Sequence, residues 1–153
     1  MGKYWLLLFF LLGLMSQVCL TQTLPRSLKA YLDRNYRGWE LAGECYEKPD
    51  ENKRILVGDF DGNGKRDYAV KFVRGSKGFM MAFLSEGVGW KPFFLHIYDV
   101  EDAKFSDLLL FEKGEKYDAS YPWKLKTDAP ADFRCESDVG GIHVYRKGKF
   151  IGY

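Results

Sequence analysis

The sequence has few of the residues that commonly form catalytic or nucleic-acid-binding sites. It has two histidines, His96 and His143, and three cysteines among 153 residues. It has no run of five or more lysines and arginines, and its formal net charge is +2, so nothing marks a nucleic-acid-binding surface. It also lacks the Gly-x-Ser-x-Gly motif of serine hydrolases. With no Pro/Gly/Ser-rich linker and no internal repeat, we expect a single domain.

The sequence also lacks, at its N-terminus, an apolar run long enough to cross a bilayer. The run from Trp5 to Met15 holds eleven residues, whereas a membrane-spanning helix needs about 20. A short apolar run behind one lysine, followed by small and polar residues, is typical of a secretory signal peptide. We predict a signal peptide over residues 1–21, a periplasmic or secreted protein, and no membrane attachment after cleavage. An uncleaved anchor and a lipid anchor on Cys19 are the alternatives.

Removal of residues 1–21 leaves two cysteines, Cys45 and Cys135. An even number of cysteines in an exported chain predicts a disulfide bond between them. Because the loop that it closes is long, the bond would add about 4–5 kcal/mol to the free energy of unfolding. Two separate buried thiols are the alternative.

The remaining chain contains one helical pattern followed by alternating patterns. Apolar residues at three- and four-residue steps predict an amphipathic helix over residues 24–39. Beyond it, roughly seven to nine short segments alternate between apolar and polar residues, and residues 141–153 predict a closing hairpin. Residues 108–118 and 121–128 are weaker strand candidates. We predict the α+β class, with one N-terminal amphipathic helix packed on a mainly antiparallel β-sheet, in a single domain over residues 22–153.

Residues 58–70, GDFDGNGKRDYAV, carry oxygen-bearing side chains at alternate positions. Alternate residues of a tightly curled loop point inward, so their oxygens converge, and Gly62 and Gly64 permit the positive φ angles that such curling requires. Calcium takes six to eight oxygen ligands. The spacing therefore predicts a calcium site. Its ligands are Asp59, Asp61, Asn63, the backbone carbonyl of Lys65, and Asp67.

Other interpretations of this loop fit less well. Zinc and copper are disfavoured because the loop has no histidine or cysteine, and magnesium ranks second because it keeps more water. An EF-hand would need a glutamate where Val70 stands. The Gly-x-x-x-x-Gly-Lys-Ser/Thr spacing of a phosphate loop is also absent. A metal-free polar turn stays open, because Asp-Gly and Asn-Gly are strong hairpin-turn dipeptides.

The same stretch resembles the calcium loop of the FG-GAP and VCBS repeat families, whose pattern is close to Gly-Asp-x-Asp-x-Asp-Gly-x-x-Asp before a short apolar strand. The resemblance implies the same five ligands, with Asn63 in place of the family's aspartate. Those families repeat the loop in the blades of a β-propeller. Here it occurs once, in a chain too short for a propeller, so neither the propeller nor its adhesive function is implied. The order of helix, loop and closing hairpin also resembles that of small exported bacterial proteins.

No catalytic residue set is predicted, because each histidine lies in an apolar alternating segment that is typical of packed or surface strand residues. We predict an exported, calcium-binding, non-enzymatic domain with a structural or interaction role towards an unknown protein or surface partner. The alternative is a small secreted hydrolase or hydrolase inhibitor in which the acidic loop is incidental. Convergence of His96 and His143, or of two carboxylates, in a cleft away from the loop would favour that alternative.

Overall fold

A computed structural model describes residues 23–43, 54–117, 122–135 and 140–153. Within these ranges the chain forms the helix α1, the one-turn helix α2 and nine strands. The helices are α1 (Arg26–Asn35) and α2 (Val100–Ala103). The strands are β1 (Glu40–Leu41), β2 (Ile55–Gly58), β3 (Asp67–Arg74), β4 (Lys77–Glu86), β5 (Gly89–Asp99), β6 (Ser106–Phe111), β7 (Ala129–Arg134), β8 (Gly140–Arg146) and β9 (Lys149–Gly152).

The molecule is mainly β, and the predicted α+β class is wrong. Of the described residues, 51% lie in strands and 12% in helices. The strands form two antiparallel sheets, one in the order β1-β3-β4-β5 with β2 also paired to β3, the other in the order β6-β7-β8-β9. The prediction of one helix on one sheet failed because alternation identifies strands without showing which strands share a sheet. Here α2 follows β5, and the second sheet begins at β6.

The helix is shorter than predicted, since α1 covers Arg26–Asn35 instead of residues 24–39. Its apolar spacing buries Leu28 and Leu32 completely. These two residues belong to a first apolar cluster that includes Val70, Phe72 and Phe83 of β3 and β4. The cluster therefore covers one face of the first sheet.

The opposite face of the first sheet packs against the second sheet. Ala69, Met80 and Ala82 form a second cluster with Leu108 of β6, and Phe150 of β9 packs against it. β3 is thus buried on both faces, which explains why its first six residues are all buried. A third cluster lies around β7 and β8. Its buried members are Leu125, Ala129, Ala131, Ile142 and Val144.

The predicted closing hairpin is confirmed, because β8 and β9 pair from His143–Gly152 to Arg146–Lys149. Lys147 and Gly148 between them both have positive φ angles, as a tight two-residue hairpin turn requires. Of the described part of the weak candidate at 108–118, residues 108–111 are in a strand, as the end of β6 (Ser106–Phe111), and residues 112–117 are not. The described part of 121–128 is not a strand. The next strand is β7, which was not predicted and which places Pro130 within the sheet.

Candidate functional site

The loop between β2 and β3 curls around its own acidic side chains. The backbone N–H of Gly64 donates to Asp59 Oδ2 at 2.9 Å, and the N–H of Asn63 donates to Asp61 Oδ1 at 3.0 Å. Gly62 and Gly64 both have φ near +78°, a backbone conformation that glycine adopts without strain. The curling that the sequence predicted for this loop is therefore present.

Asp67, at the start of β3, is fully buried beneath the loop. Its Oδ2 accepts a hydrogen bond from the N–H of Phe60 at 2.9 Å, and its Oδ1 accepts one from the N–H of Ser85 at 2.8 Å. Burial raises the pKa of Asp67 to about 6, although the two N–H donors act in the opposite direction. At neutral pH an ionised carboxylate is therefore held in an environment that disfavours its charge.

Three of the five predicted ligands come together. One carboxylate oxygen from each of Asp59, Asp61 and Asp67 lies within 4.8 Å of the other two. Two oxygens that each sit about 2.4 Å from one calcium ion can be at most about 4.8 Å apart, so this spacing fits a shared ion. In addition, Oδ1 of Asp59 is buried and has no hydrogen-bond partner, which leaves it available to a cation.

The other two predicted ligands lie at the exposed edge of this cluster. The side-chain N–H of Asn63 donates to Asp61 Oδ2 at 2.9 Å, and Asn63 Oδ1 accepts from the backbone N–H of Lys65 at 2.7 Å. Both residues are exposed. Asn63 therefore contacts one of the three carboxylates, that of Asp61. The hydrogen bond from its backbone N–H holds Lys65 next to Asn63.

A residue that the sequence did not single out fastens this loop to the second half of the chain. Asp128, just before β7, accepts a hydrogen bond from the N–H of Asp59 at 2.9 Å and another from the N–H of Lys113 at 2.9 Å. The N–H of Asp128 donates to the carbonyl of Asp59 at 3.2 Å. No local pattern indicated this contact, because Asp59 and Asp128 are 69 residues apart.

A second polar cluster lies away from the loop. Asp132 on β7 contacts Nε2 of His143 at 2.8 Å through Oδ1, and Nδ1 of His96 at 3.3 Å through Oδ2. Burial raises the pKa of Asp132, but the hydrogen bonds and charges of the two histidines outweigh burial and hold the pKa below its usual value. A cavity of about 300 Å³ opens beside His96 and Asp132. The sequence missed Asp132 because its strand was not predicted.

Lys71 on β3 is the third buried polar feature. Its side chain is fully buried, and Nζ donates to the carbonyls of Gly43 and Ser106 and lies 3.5 Å from Asp107 Oδ1. Three acceptors match the three N–H donors of an ammonium group. This lysine therefore links β3 of the first sheet to β6 of the second, and its place in an alternating segment gave no sign of that role.

Cys135, at the end of β7, is disulfide-bonded. The predicted partner, Cys45, lies outside the described residues, so the pairing of these two cysteines stays a prediction. The predicted signal peptide, residues 1–21, also lies outside them. No helix in the described part of the chain is both long enough and apolar enough to cross a membrane.

Comparisons of the chain with models of protein families, with curated proteins and with solved structures found no match. The resemblance of residues 58–70 to the FG-GAP and VCBS calcium loops therefore rests on those residues alone.

Proposed function

We propose that this protein is an exported, non-enzymatic domain that binds one calcium ion in the loop between β2 and β3. The observation that carries the proposal is the convergence of carboxylate oxygens from Asp59, Asp61 and Asp67 within 4.8 Å of one another. Asn63 and the backbone carbonyl of Lys65 would complete the oxygen set, with water filling the remaining positions.

Electrostatics supports a divalent cation at this place. Three carboxylates converge, one of them fully buried and one with a buried unpartnered oxygen. A divalent ion would offset two of the three negative charges and supply the missing partner of Asp59 Oδ1. The ligands are all oxygen donors, which suits calcium and magnesium and disfavours zinc and copper.

The role that we propose for the ion is structural. Asp128 ties the loop to the segment that precedes β7, and Asp67 ties it to β4 through the N–H of Ser85. An ion held by the loop would therefore stiffen a point where both sheets meet, and would present a rigid surface to a protein partner. We expect a dissociation constant of about 10⁻⁴–10⁻³ M, as in extracellular calcium modules.

Titration calorimetry of the mature protein with calcium and with magnesium tests the proposal. Calcium should bind with one-to-one stoichiometry and more tightly than magnesium, and Asp61→Asn should weaken calcium binding at least tenfold. Glu101→Gln, which removes one exposed charge on α2, is the control and should bind like the parent. Equal binding by Asp61→Asn and Glu101→Gln would show that calcium does not occupy this loop.

A second candidate function, a small secreted hydrolase, is favoured by one observation. His96 and His143 converge on Asp132 beside a cavity, as the sequence-based alternative required. A carboxylate that fixes Nδ1 of His96 would leave Nε2 to take a proton from an attacking water. Hydrolysis of an activated acyl ester by the parent, lost in His96→Gln, would support this candidate. A rate no greater than that of free imidazole would exclude it for such esters.

A further inference from the structure

The cavity beside His96 and Asp132 lies between the two sheets, away from the acidic loop. β5 contributes His96 and Tyr98, the start of β6 contributes Ser106, and β7 contributes Asp132 and Arg134. Asp102 of α2 and Gly140 of β8 also line the cavity. Its volume of about 300 Å³ is at the lower end of the range for small-molecule sites.

Two hydroxyl groups in this cavity have unused hydrogen-bonding capacity. The hydroxyl oxygens of Tyr98 and Ser106 are both buried and lie next to each other, but no hydrogen bond of good geometry joins them or connects either one to another described group. Burial raises the pKa of Tyr98, so its hydroxyl keeps its proton and acts as a donor at neutral pH. Leaving a buried polar group without a partner is unfavourable, and folded proteins rarely do so. Two such groups in one cavity indicate that a ligand or ordered water completes them.

Arg134 supplies a positive charge to the same cavity. Among the described residues its guanidinium makes no hydrogen bond or ion pair, and the residue is exposed. Two carboxylates, Asp132 and Asp102, also line the cavity. Asp132 is already engaged by two histidines, and Asp102 is exposed on α2. The groups still free to donate are therefore the guanidinium of Arg134 and the hydroxyls of Tyr98 and Ser106.

We propose that this cavity binds a small molecule through a carboxylate group. The carboxylate accepts two parallel hydrogen bonds from Arg134, whose planar guanidinium matches its geometry. It also accepts hydrogen bonds from the hydroxyls of Tyr98 and Ser106. His96, fixed through Nδ1 by Asp132, lies next to the bound group with Nε2 available for a further contact. This site is separate from the calcium loop and depends neither on calcium binding nor on hydrolysis.

NMR titration of the isotope-labelled mature protein tests the proposal. Sodium acetate and sodium phosphate are the probes, each added at constant ionic strength to calcium-free protein, because phosphate precipitates calcium. Acetate should cause saturable shifts of the amide signals of Ser106 and Arg134, and Arg134→Gln should weaken acetate binding at least tenfold. Arg26→Gln, at the exposed start of α1, is the control and should bind like the parent. Ser106→Ala provides a second variant that should weaken binding if Arg134→Gln does not fold.

Three outcomes would overturn the proposal. The first is the absence of saturable shifts with acetate up to tens of millimolar, which would mean that water alone completes the two hydroxyls. The second is saturation by phosphate without saturation by acetate, which would mean an anion site of another class. The third is unchanged acetate binding in both Arg134→Gln and Ser106→Ala. Calcium binding, measured in separate phosphate-free samples of the same protein, tells failure of this site apart from failure of the calcium loop.

Discussion

Asp132 joins two strands of the second sheet to the edge of the first. Its partners, His143 on β8 and His96 on β5, come from different sheets. Because the folded protein holds the pKa of Asp132 below that of the unfolded chain, the ionised form is stabilised by folding. This contribution is fully present above the unfolded pKa of about 4 and is lost as the pH falls through the lowered folded pKa.

We expect Asp132→Asn to lower the free energy of unfolding by about 1–2 kcal/mol at pH 7, since it weakens hydrogen bonds to a charged acceptor. The difference from the parent should shrink as the pH falls below the unfolded pKa of about 4 and the parent's carboxyl group takes up a proton. Urea unfolding at several pH values measures it. Asp99→Asn, in an exposed pair with Lys77, is the control and should change stability by less than about 0.5 kcal/mol. A pH-independent loss in Asp132→Asn would contradict the linkage.

A second prediction for a single residue concerns the buried ammonium group of Lys71. Lys71→Met leaves Asp107 buried without its ammonium partner, so we expect a loss of about 3–5 kcal/mol in the free energy of unfolding. The double variant Lys71→Met/Asp107→Leu should recover part of that loss, because apolar replacement of both members of a buried pair is often tolerated. Chemical denaturation measures both. A double variant less stable than Lys71→Met would show that Asp107 contributes independently of the lysine.

The sequence contained enough information to place the acidic loop and too little to place its partners. The convergence of Asp59, Asp61 and Asp67 could be predicted from the spacing of their oxygens along the sequence, because all three residues belong to one short loop. The contacts of Asp128 and Asp132 join residues far apart in the chain or on strands of different sheets. Such contacts depend on which strands pair and on how the two sheets pack, and a local sequence pattern does not indicate either.

At the scale of single elements, strong local patterns predicted strands better than weak ones. The closing hairpin was predicted from two alternating runs around a basic turn, and it is present over β8 and β9. β7 was missed because its sequence, APADFR, holds a proline and two charged residues among short apolar ones. Its pairing with β6 and β8 supplies the stability that its own propensity does not.

The pairing of β4 with β5 depends on a glycine. Gly78 lies opposite Tyr98, and a Cβ atom at Gly78 would overlap the ring of Tyr98. We expect Gly78→Ala to lower the free energy of unfolding by about 1–3 kcal/mol, the usual cost of overpacking. The control is Gly89→Ala in the same strand pair, where the nearest atom would be 3.9 Å away. Similar stabilities of the two variants, measured by urea unfolding, would contradict this account of the packing.

At the scale of the whole molecule, the class prediction failed although the predicted number of strands, roughly seven to nine, agrees with the nine in the described residues. The sequence shows helix and strand patterns one segment at a time, and it led to one sheet with one helix across it. The described residues instead form two antiparallel sheets. Apolar residues from both sheets fill the cluster between them, including Met80, Leu84 and Leu108. The division falls after β5, at a one-turn helix too short to leave a helical pattern in the sequence.

Cys135 is disulfide-bonded, and the predicted bond to Cys45 would close a loop over most of the mature chain. We expect Cys135→Ser to lower the free energy of unfolding by about 4–5 kcal/mol if the partner is Cys45, since the closed loop is long. Peptide mapping by mass spectrometry without reduction should find Cys45 linked to Cys135 in the exported protein. Two free thiols, or a bond from Cys135 to another chain, would contradict the predicted pairing.

Thermal melting of the mature protein in calcium and in chelator tests the central proposal most directly. Calcium at about ten to a hundred times its dissociation constant should stabilise the folded state by about 1.4–2.7 kcal/mol. That gain should raise the melting temperature of the parent by about 5 °C or more. Asp61→Ala should melt at the same temperature in both conditions, while Glu101→Gln should respond to calcium like the parent. If the parent and Asp61→Ala melt alike in calcium and in chelator, the loop does not bind calcium.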